Sequence, residues 1–215
     1  MVEQGTPEWH AMRCGKVTAS RVADVMRKTK TGVSASRERY MGELIAQRLT
    51  GVVPDGFKSA DMQWGNDTED MARTAYSFHR DVDLVPIDFV NHPTIPMSGA
   101  SPDRLVGSSA SGPEAYGLVE IKCPATHTHI GTLISETIPA DYVTQMQWQL
   151  ACTGRRWCDF VSFDPRMPAD MQLFISRVHR DDRIIAELEA GVIAFLSDLD
   201  RRIEALTTKY RAVAA

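Results

Sequence analysis

Long apolar stretches are missing from this 215-residue chain. The longest strongly apolar run, Val192 to Leu196, is far too short to span a bilayer, and Met1–Gly5 shows no basic stretch leading into an apolar one. Neither a membrane span nor a secretory signal is therefore expected. Cysteine is scarce as well. The four residues, Cys14, Cys123, Cys152 and Cys158, contain no C-x-x-C pair, which argues against a disulfide framework and a closed zinc site. Reduced thiols in a cytoplasmic protein are the expectation. Internal repeats, low-complexity tracts and long linkers are also absent. A chain of this length, 43% hydrophobic and 24% charged, is expected to fold as one domain over residues 1–215.

Nor is there an overall excess of positive charge, since the formal net charge is −4. Its distribution is uneven. Arg13, Lys16, Arg21, Arg27, Lys28, Lys30, Arg37 and Arg39 crowd one segment that holds only Asp24 and Glu38 as acids. A basic stretch on an acidic body suits a polyanion held at one place; a solvated, arginine-rich helix face is the equal alternative.

The apolar pattern predicts helices, then a cluster of strands, then helices again. Thr18 or Ser20 can cap a helix carrying Val22, Val25 and Met26. A second helix starts near Ser34 or Ser36, buries Tyr40, Met41, Leu44, Ile45 and Leu49, and stops at Gly51. A third covers Thr68 to Phe78, with Met71, Ala75 and Phe78 on one face. Strands are predicted at Leu84–Val90, Met97–Ala100, Arg104–Val106, Tyr116–Lys122, Trp157–Phe163 and Met171–Val178. Between them lies a helix from Ala140 to Cys152, and a long helix from Ile185 to Tyr210 ends the pattern. Lys28–Ser36 and Gly107–Gly117 read as loops. The expected architecture is α/β, a central mixed β-sheet flanked by helices.

Within the strand cluster, Ser101-Pro102-Asp103 is followed, 17 positions after the aspartate, by Glu120-Ile121-Lys122. Residues two apart on a strand share a face, so Glu120 and Lys122 project together while Ile121 points to the opposite layer. If the two strands pair as a hairpin, Asp103 joins them. Two carboxylates and an amine then meet at one spot. Carboxylate oxygens are hard ligands suited to Mg²⁺ or Mn²⁺, and an ammonium beside them can stabilise a developing negative charge. The bland alternative is a Pro-Asp turn and a surface Glu–Lys pair, which apolar Leu118, Val119 and Ile121 make less comfortable.

The set resembles the PD-(D/E)xK nuclease core, and the chain from Trp9 to Met167 is similar to the lambda exonuclease and YqaJ-type viral recombinase family. The matching blocks, in family order, are Glu8-Trp9-His10 through Arg13-Cys14-Gly15, Thr18-Ala19-Ser20, Trp64-Gly65 with Glu69, Ser101-Pro102-Asp103, Glu120 through Pro124, Tyr142 with Gln145 and Gln147, and Asp164 through Met167. The resemblance implies a restriction-endonuclease-like core and a metal-dependent 5′-to-3′ exonuclease on linear double-stranded DNA. It implies Asp103, Glu120 and the Ile121 carbonyl as ligands of Mg²⁺, with Mn²⁺ as substitute. Lys122 takes the catalytic lysine position, Glu69 that of a helix-borne carboxylate counted with the catalytic and metal groups, and Gln145 that of a glutamine beside the nucleophilic water. Arg13, Thr18 and Ser20 match residues that hold the 5′ phosphate. On the residues alone, Glu69 reads as a solvated charge beside Asp67 and Asp70, Gln145 as a polar helix residue, and Arg13 equally as half of a salt bridge.

The same resemblance implies a homotrimeric ring, a single-strand annealing recombination partner, and a phage or prophage gene expressed in a bacterial cytoplasm. Two other classes stay open: an endonuclease or iron–sulfur repair nuclease of the same superfamily, and a non-catalytic module that binds DNA ends. His127-x-His129 is read as surface or outer-layer histidines, and Trp64, beside Gly65, as the tryptophan nearest the proposed site.

Overall fold

The computed structural model describes residues 5–30, 32–54, 60–107 and 117–211. In chain order the first half comprises α1 (Pro7–Arg13), β1 (Val17–Thr18), α2 (Val22–Met26), β2 (Lys28–Thr29), β3 (Gly32–Val33), α3 (Ala35–Thr50) and α4 (Ala60–Arg80). There follow β4 (Leu84–Val85), β5 (Val90–Asn91), β6 (Ser98–Ala100), β7 (Arg104–Val106) and β8 (Gly117–Lys122). The chain then forms α5 (Thr126–Ser135), α6 (Ala140–Thr153), β9 (Trp157–Phe163), β10 (Leu173–His179) and α7 (Asp182–Arg211).

Five strands form the main sheet in the order β10-β9-β8-β7-β4. Only β8 and β9 run parallel, so the sheet is mixed, as expected. β8 is the inner strand that both layers cover. Val119 and Ile121 pack with Ala72 and Tyr76 of α4, whereas Leu118 packs with Met146 and Leu150 of α6. The alternation along a strand therefore sends Glu120 and Lys122 toward α6. A smaller sheet, β1-β6-β5, sits beside a helical core in which Val22, Tyr40, Met41 and Leu44 meet Leu188, Val192, Phe195 and Leu199 of α7. Among the described residues no helix is long and apolar enough to cross a membrane.

Local signals explain many of the boundaries. Ser34 caps α3 by accepting from the Arg37 N–H at 3.2 Å, and Gly51, at φ +71°, closes it in the left-handed conformation that glycine adopts freely. Several expectations need correction. The strand predicted at Leu84–Val90 is two, β4 and β5, in different sheets; Pro86 lacks the N–H a ladder needs. The stretch read as a loop at Lys28–Ser36 contains the β2–β3 hairpin. Neither Thr18 nor Ser20 caps α2; a 3-10 turn at Ala19–Arg21 intervenes, and no side chain caps either segment. α4 begins eight residues before the predicted Thr68, and it buries Thr68, Ala72 and Tyr76 while Met71 and Phe78 face solvent. Leu49 of α3 is likewise exposed. The predicted loop at Gly107–Gly117, apart from its two ends, lies outside the described residues.

Candidate active site

The sheet itself delivers the chemistry-bearing side chains to one strand end. The β7–β8 ladder reaches Arg104, opposite Val119. One residue earlier, Asp103 Oδ2 accepts from the Ile121 N–H at 2.7 Å, extending the strand pairing with a side chain. Asp103 is thereby pinned beside Glu120. Glu120 is 1% exposed and has three donors. Its Oε1 accepts from Lys122 Nζ and, at 2.6 Å, from Gln145 Nε2; its Oε2 accepts from Gln149 Nε2 at 2.6 Å. Both glutamines come from α6, four residues apart and so on one helical face.

The electrostatics are unbalanced. Burial, and then the charge of Glu120, push the Asp103 carboxyl well above the usual carboxylate range, against the opposing pull of Lys122 and of the Ile121 N–H. Burial disfavours the Lys122 ammonium, but Glu120 and Asp103 outweigh it and raise its pKa, so the lysine stays charged. The Cys123 thiol is pushed up to about 12 by burial and by Glu69 and Asp103, which makes it inert as a nucleophile. The Lys122 ammonium thus serves two carboxylates, the buried Glu120 and the part-buried Asp103.

The structure brings Asp103, Glu120, Lys122 and Gln145 together, and Ile121 joins them through its backbone. Glu69 stands apart. It rides on α4, the layer opposite α6, and its Oε1 accepts from Arg73 Nη1 at 2.6 Å, though its charge is felt at Asp103 and Cys123. Among the described residues no three His, Cys, Asp or Glu side chains converge as a metal-holding group. The four thiols are free and dispersed over α1's end, β8's end, α6 and β9, which does not suit an iron–sulfur cluster.

Arg13, Thr18 and Ser20 line a separate cleft of about 650 Å³, with Trp9 and Tyr40 among its walls. The turn after α1 is shaped by Gly15, at φ +70°, whose N–H donates to Gln47 Oε1 at 2.9 Å and whose carbonyl accepts from Arg48 Nε at 2.9 Å. A Cβ there would approach Arg48 Cγ to 2.6 Å. This turn aims Arg13 inward. Its guanidinium lies 3.8 Å from the Trp9 ring centroid and donates to Ser101 Oγ at 3.4 Å, with no carboxylate partner among the described residues. Burial lowers its pKa to about 10. Ser101 is two residues from Asp103, so the cleft and the strand end adjoin. Thr18 is buried, its N–H donating to Tyr40 Oη at 3.2 Å, while Ser20 is exposed.

Two histidines and a tryptophan fall into place differently. His127 is exposed, whereas His129 is fully buried on α5, its ring nitrogens engaged by Ser162 Oγ at 2.8 Å and the Met171 carbonyl at 2.9 Å. Trp64 sits on α4 under Arg166, whose guanidinium carbon is 4.0 Å from the ring centroid. Sequence reasoning missed Gln149; its spacing of four from Gln145 was the available signal. Gln147, by contrast, is structural, tying the His179 carbonyl and the Asp181 N–H to α6.

Comparison with known proteins shows which family the fold belongs to. An alkaline exonuclease, LHK-Exo from Laribacter hongkongensis, is 50% identical over 97% of this chain and 100% of its own, with a TM-score of 0.87. The same values hold for its complex with dAMP. A phage-related exonuclease from Haemophilus somnus 129PT shares the fold at 16% identity, with 89% of this chain and 96% of that one covered and a TM-score of 0.69. No match was found among curated protein sequences. Residues 8–156 match the YqaJ-like viral recombinase domain, a span that includes the strand end, both glutamines and the arginine cleft. The chain therefore belongs to the YqaJ-like viral recombinase family.

Proposed function

We propose that this protein is a divalent-metal-dependent exonuclease that degrades one strand of linear duplex DNA from its 5′ end, releasing mononucleotides and leaving a 3′ single strand. The observation that carries this reading is the charge at the end of β8, where the buried Glu120 and the part-buried Asp103 share the Lys122 ammonium. Such a deficit of positive charge fits a hard divalent ion, and the donors present are oxygens. Asp103, Glu120 and the Ile121 carbonyl would hold Mg²⁺ or Mn²⁺, with Glu69 able to contribute on release from Arg73. When bound, the ion would acidify water and offset charge on the phosphodiester.

The chain's own groups have distinct tasks. Lys122 keeps its proton and donates to the oxygen that gains charge in the transition state. Gln145, part-exposed beside Lys122, orients the attacking water with its amide. Arg13, with no carboxylate partner among the described residues, offers its planar fork to a terminal 5′ phosphate, and Thr18 and Ser20 supply hydroxyls in the same cleft. A 5′ end gripped beside Ser101 leaves the adjoining phosphodiester near Asp103, which accounts for 5′ polarity. LHK-Exo is called an alkaline exonuclease and has been solved with dAMP, which fits a mononucleotide product. A three-subunit ring threaded by DNA, the exposed Lys28 and Lys30 of the hairpin on its wall, and a single-strand annealing partner in phage or prophage recombination complete the proposal.

The test is digestion of linear duplex DNA labelled at phosphorylated 5′ ends. The expected result is labelled mononucleotide with Mg²⁺, none with EDTA, and intact circular DNA. Cutting of circles would point to an endonuclease. End binding without cleavage under any divalent metal would point to a binding module.

A further inference from the structure

We propose that Gln149 is the positioning residue that fixes Glu120 for its cation, an inference that rests on the metal-dependent reading above. A carboxylate offers about four lone-pair positions. Oε1 of Glu120 uses both of its positions on Lys122 and Gln145, while Oε2 uses one on Gln149, leaving one lone pair free for an ion. Of the three donors, Lys122 and Gln145 are partly exposed and can change partners when DNA arrives. Gln149 is 0% exposed and cannot touch substrate.

Its amide is oriented by Glu120 itself, since only the NH₂ end can donate to a carboxylate. The carbonyl end, Oε1, is left facing the Cys158 thiol with Sγ at 3.9 Å, a contact too long to hold the amide. Met146 and Leu150, its neighbours on α6, are buried in the core against Leu118 and Phe160, which holds the helix at a constant height above β8. Gln149 thus sets which lone pair of Glu120 faces the ion and keeps that pair in place while the other two donors move. Without its amide, Oε2 loses its one fixed donor in a buried setting, and the carboxylate is free to turn toward Lys122.

Gln149→Met keeps the side chain's length and removes the donor. Cys158→Ala loosens packing at the other end of the amide and keeps the donor. Mn²⁺ binding to the full-length protein without DNA, followed by electron paramagnetic resonance, is measured beside the Mg²⁺ dependence of digestion. In Gln149→Met the Mn²⁺ Kd is expected to rise about 10- to 100-fold. The Mg²⁺ needed for half-maximal rate should rise in step, the KM for DNA should hold within about twofold, and kcat should recover substantially at saturating Mg²⁺. Cys158→Ala should shift none of these. Should the methionine variant not fold, Gln149→Asn, one methylene too short to reach, should show the same displacement. Wild-type metal affinity in a folded Gln149 variant, or an equal shift in Cys158→Ala, would overturn the inference while leaving the metal-dependent reading intact. A wild-type protein that binds no Mn²⁺ would remove both.

Discussion

Two buried carboxylates sit on adjacent parallel strands, and their surroundings are opposite. Glu120 faces α6 and Asp159, one register step away, bonds to α4. Asp159 is 0% exposed and overcompensated: Arg177 donates from Nε at 2.7 Å and from Nη2 at 2.9 Å, Tyr76 Oη donates at 2.8 Å, and Arg80 Nε lies 3.6 Å away. Glu120 has two neutral amides and one ammonium, which it shares electrostatically with Asp103. A buried acid surrounded by guanidinium groups is finished; it ties α4 to the sheet. A buried acid short of positive charge is the one we propose takes a cation. Burial is the same on both faces, so the charge balance, not the burial, distinguishes the face proposed to be active.

The largest expected effect comes from deepening the deficit. Lys122→Ala should lower kcat by about 10²- to 10³-fold, with end binding preserved, as read in single-turnover digestion. Arg13→Ala should act on the other side of the site. Loss of a charge-assisted contact is expected to raise KM for 5′-phosphorylated ends by about 10- to 100-fold and to erase their advantage over 5′-hydroxyl ends, with a smaller change in kcat. A surviving preference would remove Arg13 from the phosphate grip. Asp159→Asn should destabilise the fold by roughly 1–3 kcal/mol in urea titration, since Arg177 is partly exposed, and leave the metal requirement of digestion unchanged. A shifted metal requirement would break the contrast between the two faces.

The smallest effect is in pH. The Arg166 fork beside Asp164 holds that carboxyl down to about 2, so its contribution to stability is present above the ordinary carboxylate range and lost as pH falls toward about 2. Asp103 has the opposite sign. Its raised pKa means stability is lost as pH rises above the ordinary carboxylate range, and a divalent ion should restore it. The rise in Tm on adding Mg²⁺ is therefore expected to be larger at about pH 8 than at about pH 5, and Arg166→Ala should make the acid-side fall in Tm shallower.

The sequence shows the strand-end trio well because a strand's period of two is strict. Glu120 and Lys122 had to share a face once β8 existed, and Asp103 needed only the β7–β8 pairing. Helix faces were harder to read. On α4, apolar Met71 and Phe78 are exposed while Thr68, Ala72 and Tyr76 are buried, because Tyr76 carries a hydroxyl that Asp159 needs. That partnership spans 83 residues, and no local pattern announces it. Gln149 was hidden for a similar reason: a glutamine on an amphipathic helix looks solvated until the carboxylate beneath it is known. α1 has no buried residue to betray it and is held by Thr6, which accepts from the Trp9 N–H. The placing of Glu69 on the layer opposite α6, paired with Arg73, depends on packing that only the assembled sheet defines.

The most direct measurement is a Mn²⁺ titration, followed by electron paramagnetic resonance, of the wild type, Glu120→Gln and Asp159→Asn side by side. The expected result is tight binding by the wild type and by Asp159→Asn, with binding weakened at least about tenfold in Glu120→Gln. Equal affinity in Glu120→Gln and the wild type would contradict the assignment of the β8 end as the cation site.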